Sequence, residues 1–356
     1  MVPFFQRMEG GAMFEAVIAL CLIGAPQMCR DVLLPGYEAS SSDACVEALS
    51  TAELPPVSGF HAGQAKCRPL GPVAAFTQIA PGVFVHRGVI SDAASENQGD
   101  VANIGFVIGS RSIAVIDTGG ARGVGERVYR AIRQRSDLPI SHVILTHMHP
   151  DHVLGTSVFA ETGAEILGHA RLTDALNDRA ETYLDTFGGR IGAAAFIGTS
   201  VILPTIEISE SQTIDLGGRA LEVRAWPTAH STTDLTVRDT ASGILFTGDL
   251  VVDEQTPSLD GSLIGWQAVL AEMAALDVSQ VVPGHGGPLL DWPEASAPML
   301  RYLGVLGADT RAAIAEGVSL GTAAETIGQS EAENWQLFDL FNPRNAIIVY
   351  TELEWE

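Results

Sequence analysis

The stretch "LTHMHPDHVLG", residues 145–155, places His147, His149, Asp151 and His152 within six positions, directly after an apolar run that reads as a strand. His147 and His149 are two apart, so in an extended turn both side chains project to the same side and can hold one metal ion together. Pro150 suits the first turn of a helix, which turns Asp151 and His152 toward a neighbouring position where they can serve a second ion. Four adjacent ligand-type residues are costly to bury without a partner. The alternative, a polar surface turn, is weighed and set below the metal reading.

Three more ligand types recur outward from this turn, each at the end of a strand-like run. His230 follows "EVRAWPTA", Asp249 ends "GILFTGD", and His285 lies in "VVPGHGG". Each alone reads equally well as a satisfied histidine or a turn aspartate. Strand ends on one edge of a sheet converge in space, so together with residues 147–152 they can build one site. Further apolar runs closed by glycine or polar residues, "GVFVHRG", "NIGFVIGS", "SIAVIDTGG", "ALEVRAWP" and "DLTVRD", predict strands. Helical patterns lie between them in "GVGERVYRAIRQR", "LTDALNDRAETYLDTF" and "GWQAVLAEMAALD". The expected class is α/β, with helices covering sheets.

Asp117 in "VIDTGG", the "THMHPDH" string, His230, Asp249 and His285 together resemble the signature motifs of the metallo-β-lactamase superfamily, over about Phe76 to Trp292. The resemblance implies a four-layer αββα sandwich with two metal ions at one edge. Carried over by position, His147, His149 and His230 bind the first ion and Asp151, His152 and His285 the second. Asp249 bridges them, and Asp117 orients the ligand turn from behind. Zn²⁺ is the default pair of cofactors, with iron or manganese left open because the donors are all nitrogen and oxygen. Such an ion pair lowers the pKa of a shared water, which implies hydrolysis of an ester, thioester or lactone carbonyl with Asp151 as the catalytic carboxylate. A narrower likeness, through "ANIGFVIG", "AHSTTDLTV", "GDLVVDEQTPSLDGSLIGW" and "LEWE", is to the quinoprotein relay system zinc metallohydrolases. It implies a functional link to a quinoprotein dehydrogenase system.

The runner-up is class B β-lactamase activity. Against it, a major group of those enzymes has a thiolate where this chain has Asp249 and a lysine for the substrate carboxylate, whereas the only lysine here is Lys66. From other classes, a redox diiron protein lacks its flavin domain, and a non-catalytic metal-binding protein needs a site closed to water. Of the remaining histidines, His61, His86 and His142 read as surface or core-edge residues. His169 could approach the site from the side, and Ser262 and Trp266 could line its pocket, with core packing an equal reading for the tryptophan.

The formal charge of -23 over 356 residues disfavours a nucleic-acid partner and leaves a small-molecule substrate. No stretch approaches the roughly 20 apolar residues of a membrane span. Cys21, Cys29, Cys45 and Cys67 all fall in residues 1–75, read as an irregular N-terminal module and linker. They suggest two disulfides, with three pairings open, in an oxidising compartment: periplasmic or secreted, the alternative being a cytoplasmic chain with four free thiols. Residues 14–25, "FEAVIALCLIGA", read either as a signal-like segment behind the single basic Arg7 or as a buried strand or helix of that module. Residues 76–292 form the expected hydrolase domain and 293–356 a helical extension, expected to pack on it. The oligomeric state is left open.

Overall fold

A computed structural model describes residues 13–52 and 59–355; Arg7 and residues 53–58 of the linker lie outside them. The chain begins with β1 (Phe14–Leu22), β2 (Ala25–Ala39), α1 (Ser42–Ser50) and β3 (Phe60–Pro69). Next come β4 (Thr77–Ala80), β5 (Val83–His86), β6 (Ile104–Ile108), β7 (Ile113–Ile116), α2 (Arg122–Arg133) and β8 (Ile140–Ile144). After β8 follow the short α3 (Pro150–Val153) and α4 (Ser157–Ala160), then β9 (Glu165–His169), α5 (Leu172–Ile191), α6 (Ala193–Phe196) and β10 (Ile206–Ile208). A second run of strands comprises β11 (Ser211–Asp215), β12 (Ala220–Ala225), β13 (Leu235–Asp239) and β14 (Leu245–Phe246), then α7 (Leu263–Ala274), β15 (Gln280–Val282) and β16 (Leu290–Asp291). The chain closes with α8 (Ser296–Ala315), α9 (Leu320–Thr326) and α10 (Phe338–Leu353).

Two sheets carry the hydrolase-like part: seven strands in the order β10-β9-β8-β7-β6-β5-β4, and six in the order β11-β12-β13-β14-β15-β16. Strand β7 shows why they stack in layers. Its four residues are all buried, with Ile113 and Val115 facing one core and Ala114 and Ile116 another, as the two-residue period of a strand requires. The Ala114 and Ile116 face meets Leu221, Val223, Leu235 and Val237 of the second sheet. The Ile113 and Val115 face meets Val124, Val128 and Ile132 of α2 and Leu176 of α5. Outside the second sheet, Trp266 and Leu270 of α7 pack with Tyr302, Leu303 and Leu306 of α8 and Val349 of α10. The result is the αββα sandwich, with the C-terminal extension built into its outer helical layer. No helix among the described residues is long and apolar enough to cross a membrane.

The N-terminal residues depart from the irregular module expected. They form a three-stranded sheet, β2-β1-β3, with α1 against it. Residues 14–22 of the segment weighed as signal-like are its central strand β1. Strand β3 escaped notice because it lies at the sheet edge and is largely exposed, so little apolar alternation marks it. Of the three open pairings the structure takes Cys21–Cys29, across β1 and β2, and Cys45–Cys67, which fastens α1 to β3.

Arg122, Glu126 and Arg130 are spaced four apart on α2, and what reads as a solvent face is buried beneath this sheet. Glu15 of β1 is wholly buried and accepts from Arg130 Nε at 2.6 Å, with Arg68 Nη2 2.9 Å away. Glu126 accepts from the Leu33 amide of β2 at 3.1 Å, and Arg122 Nη2 donates to the Leu33 carbonyl at 2.9 Å. Removing one partner of such a pair strands a buried charge, at a cost of about 3–5 kcal/mol. Replacing Glu15 with Ala is therefore expected to destabilise the protein by about that amount, read as a lowered urea midpoint with unchanged slope; a midpoint equal to wild type would show that the interface carries little of the stability.

Candidate metal centre

Both sheets deliver their ligand-type side chains to one edge. Strands β7 and β8 are parallel neighbours, so Asp117, just after β7, lies beside the turn that leaves β8. Strands β14 and β15 are likewise parallel, which sets Asp249 beside the turn that holds His285. The loop from β12 to β13 brings His230. As the sequence anticipates, Pro150 occupies the first turn of α3, with extended His149 ahead of it. His147, His149, His230 and Asp249 each offer one donor atom to a common group whose members lie within 4.8 Å of one another, and Asp151, His152 and His285 form a second such group.

The hydrogen bonds behind these rings decide which nitrogen faces the cluster. Asp117 adopts φ 59°, a left-handed conformation that aspartate tolerates better than most residues. Its Oδ1 accepts the Thr146 amide at 2.8 Å, and its Oδ2 accepts both the Thr146 hydroxyl and His152 Nδ1 at 2.8 Å. The Thr146 oxygen in turn accepts from His147 Nδ1 at 3.0 Å. His285 Nδ1 donates to the Val101 carbonyl at 2.9 Å. Thus His147, His152 and His285 all turn Nε2 inward. His149 is reversed: its Nε2 donates to Asp260 at 3.2 Å, and its Nδ1 lies 3.0 Å from His230 Nε2.

Toward the centre, the inward atoms find few protein partners. Asp249 Oδ2 lies 3.7 Å from His147 Nε2, 3.6 Å from His230 Nε2 and 3.4 Å from His285 Nε2, while Oδ1 lies 3.3 Å from His152 Nε2. Asp151 Oδ2 is 3.3 Å from His285 Nε2. Buried His147 Nε2, His152 Nε2 and Asp249 Oδ1 have no hydrogen-bond partner, a cost that native proteins avoid unless something else satisfies the group. Burial opposes charge on the rings, and the carboxylates overcome it at His152, held well above the ordinary histidine range, and at His285, raised to about 10. Burial and neighbouring histidines hold His147 well below that range and take His230 down to about 3. Converging lone pairs and carboxylates call for positive charge at their common centre, and this donor set fits divalent cations.

Several residues that build the site carry no obvious sequence signal. Asp260 fixes His149 and is approached by Arg179 of α5 at 3.7 Å. Asp234 accepts from the Ser231 amide at 2.9 Å and its hydroxyl at 2.7 Å, which closes the turn around His230. Gly284 lies so near Asp249 that a Cβ there would fall 1.9 Å from Oδ1. Of the two readings open for Trp266 the structure takes core packing, and Ser262 serves as a helix cap. Ser262 caps α7 and donates to Glu352, whereas Trp266 is wholly buried edge-on against His230, its indole donating to the Leu250 carbonyl. His61 is exposed on β3, His86 is held between Ala75 and Asp100, and His142 faces Glu165, all away from the cluster. His169 also stays outside both donor groups, buried where β9 ends.

A family model described as the metallo-beta-lactamase superfamily matches residues 98–285. No match is found among curated proteins. Among solved structures, a metallo-beta-lactamase from Pontibacter korlensis aligns with a TM-score of 0.53 at 21% identity, over 65% of this chain and 98% of its own. The stereoselective inverting sec-alkylsulfatase Pisa1 from a Pseudomonas species aligns with a TM-score of 0.60 at 15% identity, over 79% of this chain but 50% of its own length. At these identities the likeness speaks for the fold.

Carboxylates behind metal-bound histidines typically contribute about 10–100-fold in affinity. Asp260→Ala is therefore expected to weaken cation binding by about that factor, measured by titration against a competing chelator; an unchanged binding curve would assign Asp260 to Arg179 alone.

Proposed function

The chain belongs to the metallo-beta-lactamase superfamily, and from that premise we propose that it is a binuclear metal-dependent hydrolase that cleaves an ester, thioester or lactone carbonyl. The observation that carries this reading is the arrangement of two donor groups around one carboxylate. His147, His149 and His230 would hold the first cation and Asp151, His152 and His285 the second, with Asp249, within 3.7 Å of donors from both groups, touching each. Imidazole and carboxylate donors suit zinc and also admit iron or manganese. When bound, such a pair of cations acidifies water and polarises a carbonyl.

The protein's own groups define where substrate arrives. The side chains of His147, His152, His230 and His285 are at most 3% exposed, whereas Asp151 and His149 are each 17% exposed. Solvent and substrate therefore meet the centre on the side where Asp151 and His149 are open. The Asp151 carboxylate, braced 3.3 Å from His285 Nε2, is placed to accept a hydrogen bond from the attacking water and set its direction. Structural metal sites are closed to solvent, whereas here Asp151 and His149 are partly open, which favours catalysis over storage.

Lactam cleavage is at most a side activity in this reading. Asp249 stands where a thiolate is expected, and Lys66 lies on β3 of the N-terminal sheet. An oxidising compartment, periplasmic or external, is supported by the two disulfides. The sequence likeness to quinoprotein relay proteins supports the same placement and a link to such a dehydrogenase system.

Metal analysis of the purified protein is expected to give two ions per chain. A panel of lactones, thioesters, esters, an alkyl sulfate and a chromogenic cephalosporin then ranks the reactions, with carbonyl esters, thioesters or lactones turned over fastest. His147→Ala and Asp151→Ala are each expected to lower that turnover by orders of magnitude while the circular dichroism spectrum is kept. Turnover unchanged in both variants, or two bound ions with no panel member hydrolysed, defeats the hydrolase assignment.

A further inference from the structure

The edge that carries the metal centre continues beyond His230 into a groove that none of the seven ligands lines. Its volume is ≈ 590 Å³, within the range of small-molecule sites, and its walls include His169, Arg171, Glu210, Arg224 and Trp226. Strand β9, which ends in His169, is the neighbour of β8, whose end supplies the ligand turn. Trp226 and Pro227 belong to the same loop as His230. Groove and metal centre thus adjoin along one edge of the sandwich.

Its charge is unusual for this chain. In a protein of formal charge -23, two arginines and one carboxylate, Glu210, line this groove, and one of the arginines, Arg171, has no acidic partner among the described residues. Arg171 Nη1 donates to Thr228 Oγ1 at 3.1 Å, and among the described residues no carboxylate forms an ion pair with it. Arg224 lies over the Trp226 indole, 3.8 Å from the ring centroid, and pairs with Glu272, so its guanidinium plane is fixed before any ligand arrives. Its second wall is uncharged at neutral pH. His169 Nδ1 accepts the Arg171 amide at 3.0 Å, and burial together with the Arg171 charge brings its pKa to about 4. Ser209 and Ser211 add hydroxyl groups along the rim.

A guanidinium that lacks an acidic partner and is steadied by a hydroxyl is arranged to receive a planar anion through paired N–H donors. We propose that this groove binds a carboxylate carried on the substrate at a distance from the scissile carbonyl, with Arg171 as the principal contact and Arg224 as the second. The substrate class is then the monoester, thioester or lactone of an acid bearing a second, free carboxylate. This deepens the hydrolase reading and rests on it.

The test compares 4-nitrophenyl monoesters of linear dicarboxylic acids of increasing length with their methyl-capped counterparts. The metal-loaded wild-type protein is expected to prefer the free acid by about tenfold or more in kcat/KM at the best length, mainly through KM. Arg171→Gln should bring that ratio close to one, and Arg171→Lys should restore part of it. A ratio that stays at the wild-type value in Arg171→Gln, even if both substrates suffer equally, overturns the proposal. If no ester is hydrolysed, the ester arm of the hydrolase reading fails and the groove is judged separately by calorimetry with the free dicarboxylate suberate. Binding that Arg171→Gln weakens by about tenfold upholds the groove; no binding, or binding indifferent to that substitution, overturns it.

Discussion

Asp117 holds the metal turn in shape. One of its carboxylate oxygens takes the Thr146 amide, and the other takes the Thr146 hydroxyl and the outward-facing Nδ1 of His152. Through Thr146 it also sets the ring of His147. A single buried carboxylate therefore fixes one histidine of each donor group, and it does so before any cation arrives. The left-handed backbone of Asp117 carries a strain that these bonds and the parallel pairing of β7 with β8 keep in place.

The clustering of donors was legible in the sequence because few residue types can serve as metal ligands: His147, His149, Asp151, His152, His230, Asp249 and His285 all meet at one edge. Strands with two buried faces, such as β6, β7 and β8, were legible as continuous apolar runs. Short or exposed strands were not. Strands β10 and β11 close the two sheets at one side, and β3 lies at the edge of the N-terminal sheet, so their alternation is weak or their length too small to mark them. Asp260 and Arg179 escaped for another reason. Each is an ordinary charged residue whose meaning depends on which ring or carboxylate the tertiary fold sets beside it, and no local pattern encodes that.

The N-terminal sheet shows the same limit at larger scale. The pattern of α2 looks amphipathic, yet its Arg122, Glu126 and Arg130 are buried against β1 and β2 through charge pairs. Their partners explain the burial: Glu15, Arg30 and the Leu33 backbone from the module, and Glu161 from the sandwich. Three cationic and acidic groups that would be cheap in water thereby become a specific joint between module and sandwich, one in which every member relies on its partners.

Asn345 and Glu352 on α10 reach back to the segment that follows Asp249. Asn345 accepts the Leu259 amide and donates to the Pro257 carbonyl, while Glu352 accepts from Ser262 and the Leu263 amide. That segment contains Asp260, the partner of His149. Helix α10 thus secures a loop on which the first donor group leans. Local sequence and finished cradle are thereby separable: the "THMHPDH" turn is written in seven residues, but the support that orients His149 is borrowed from a helix some two hundred residues away in the chain.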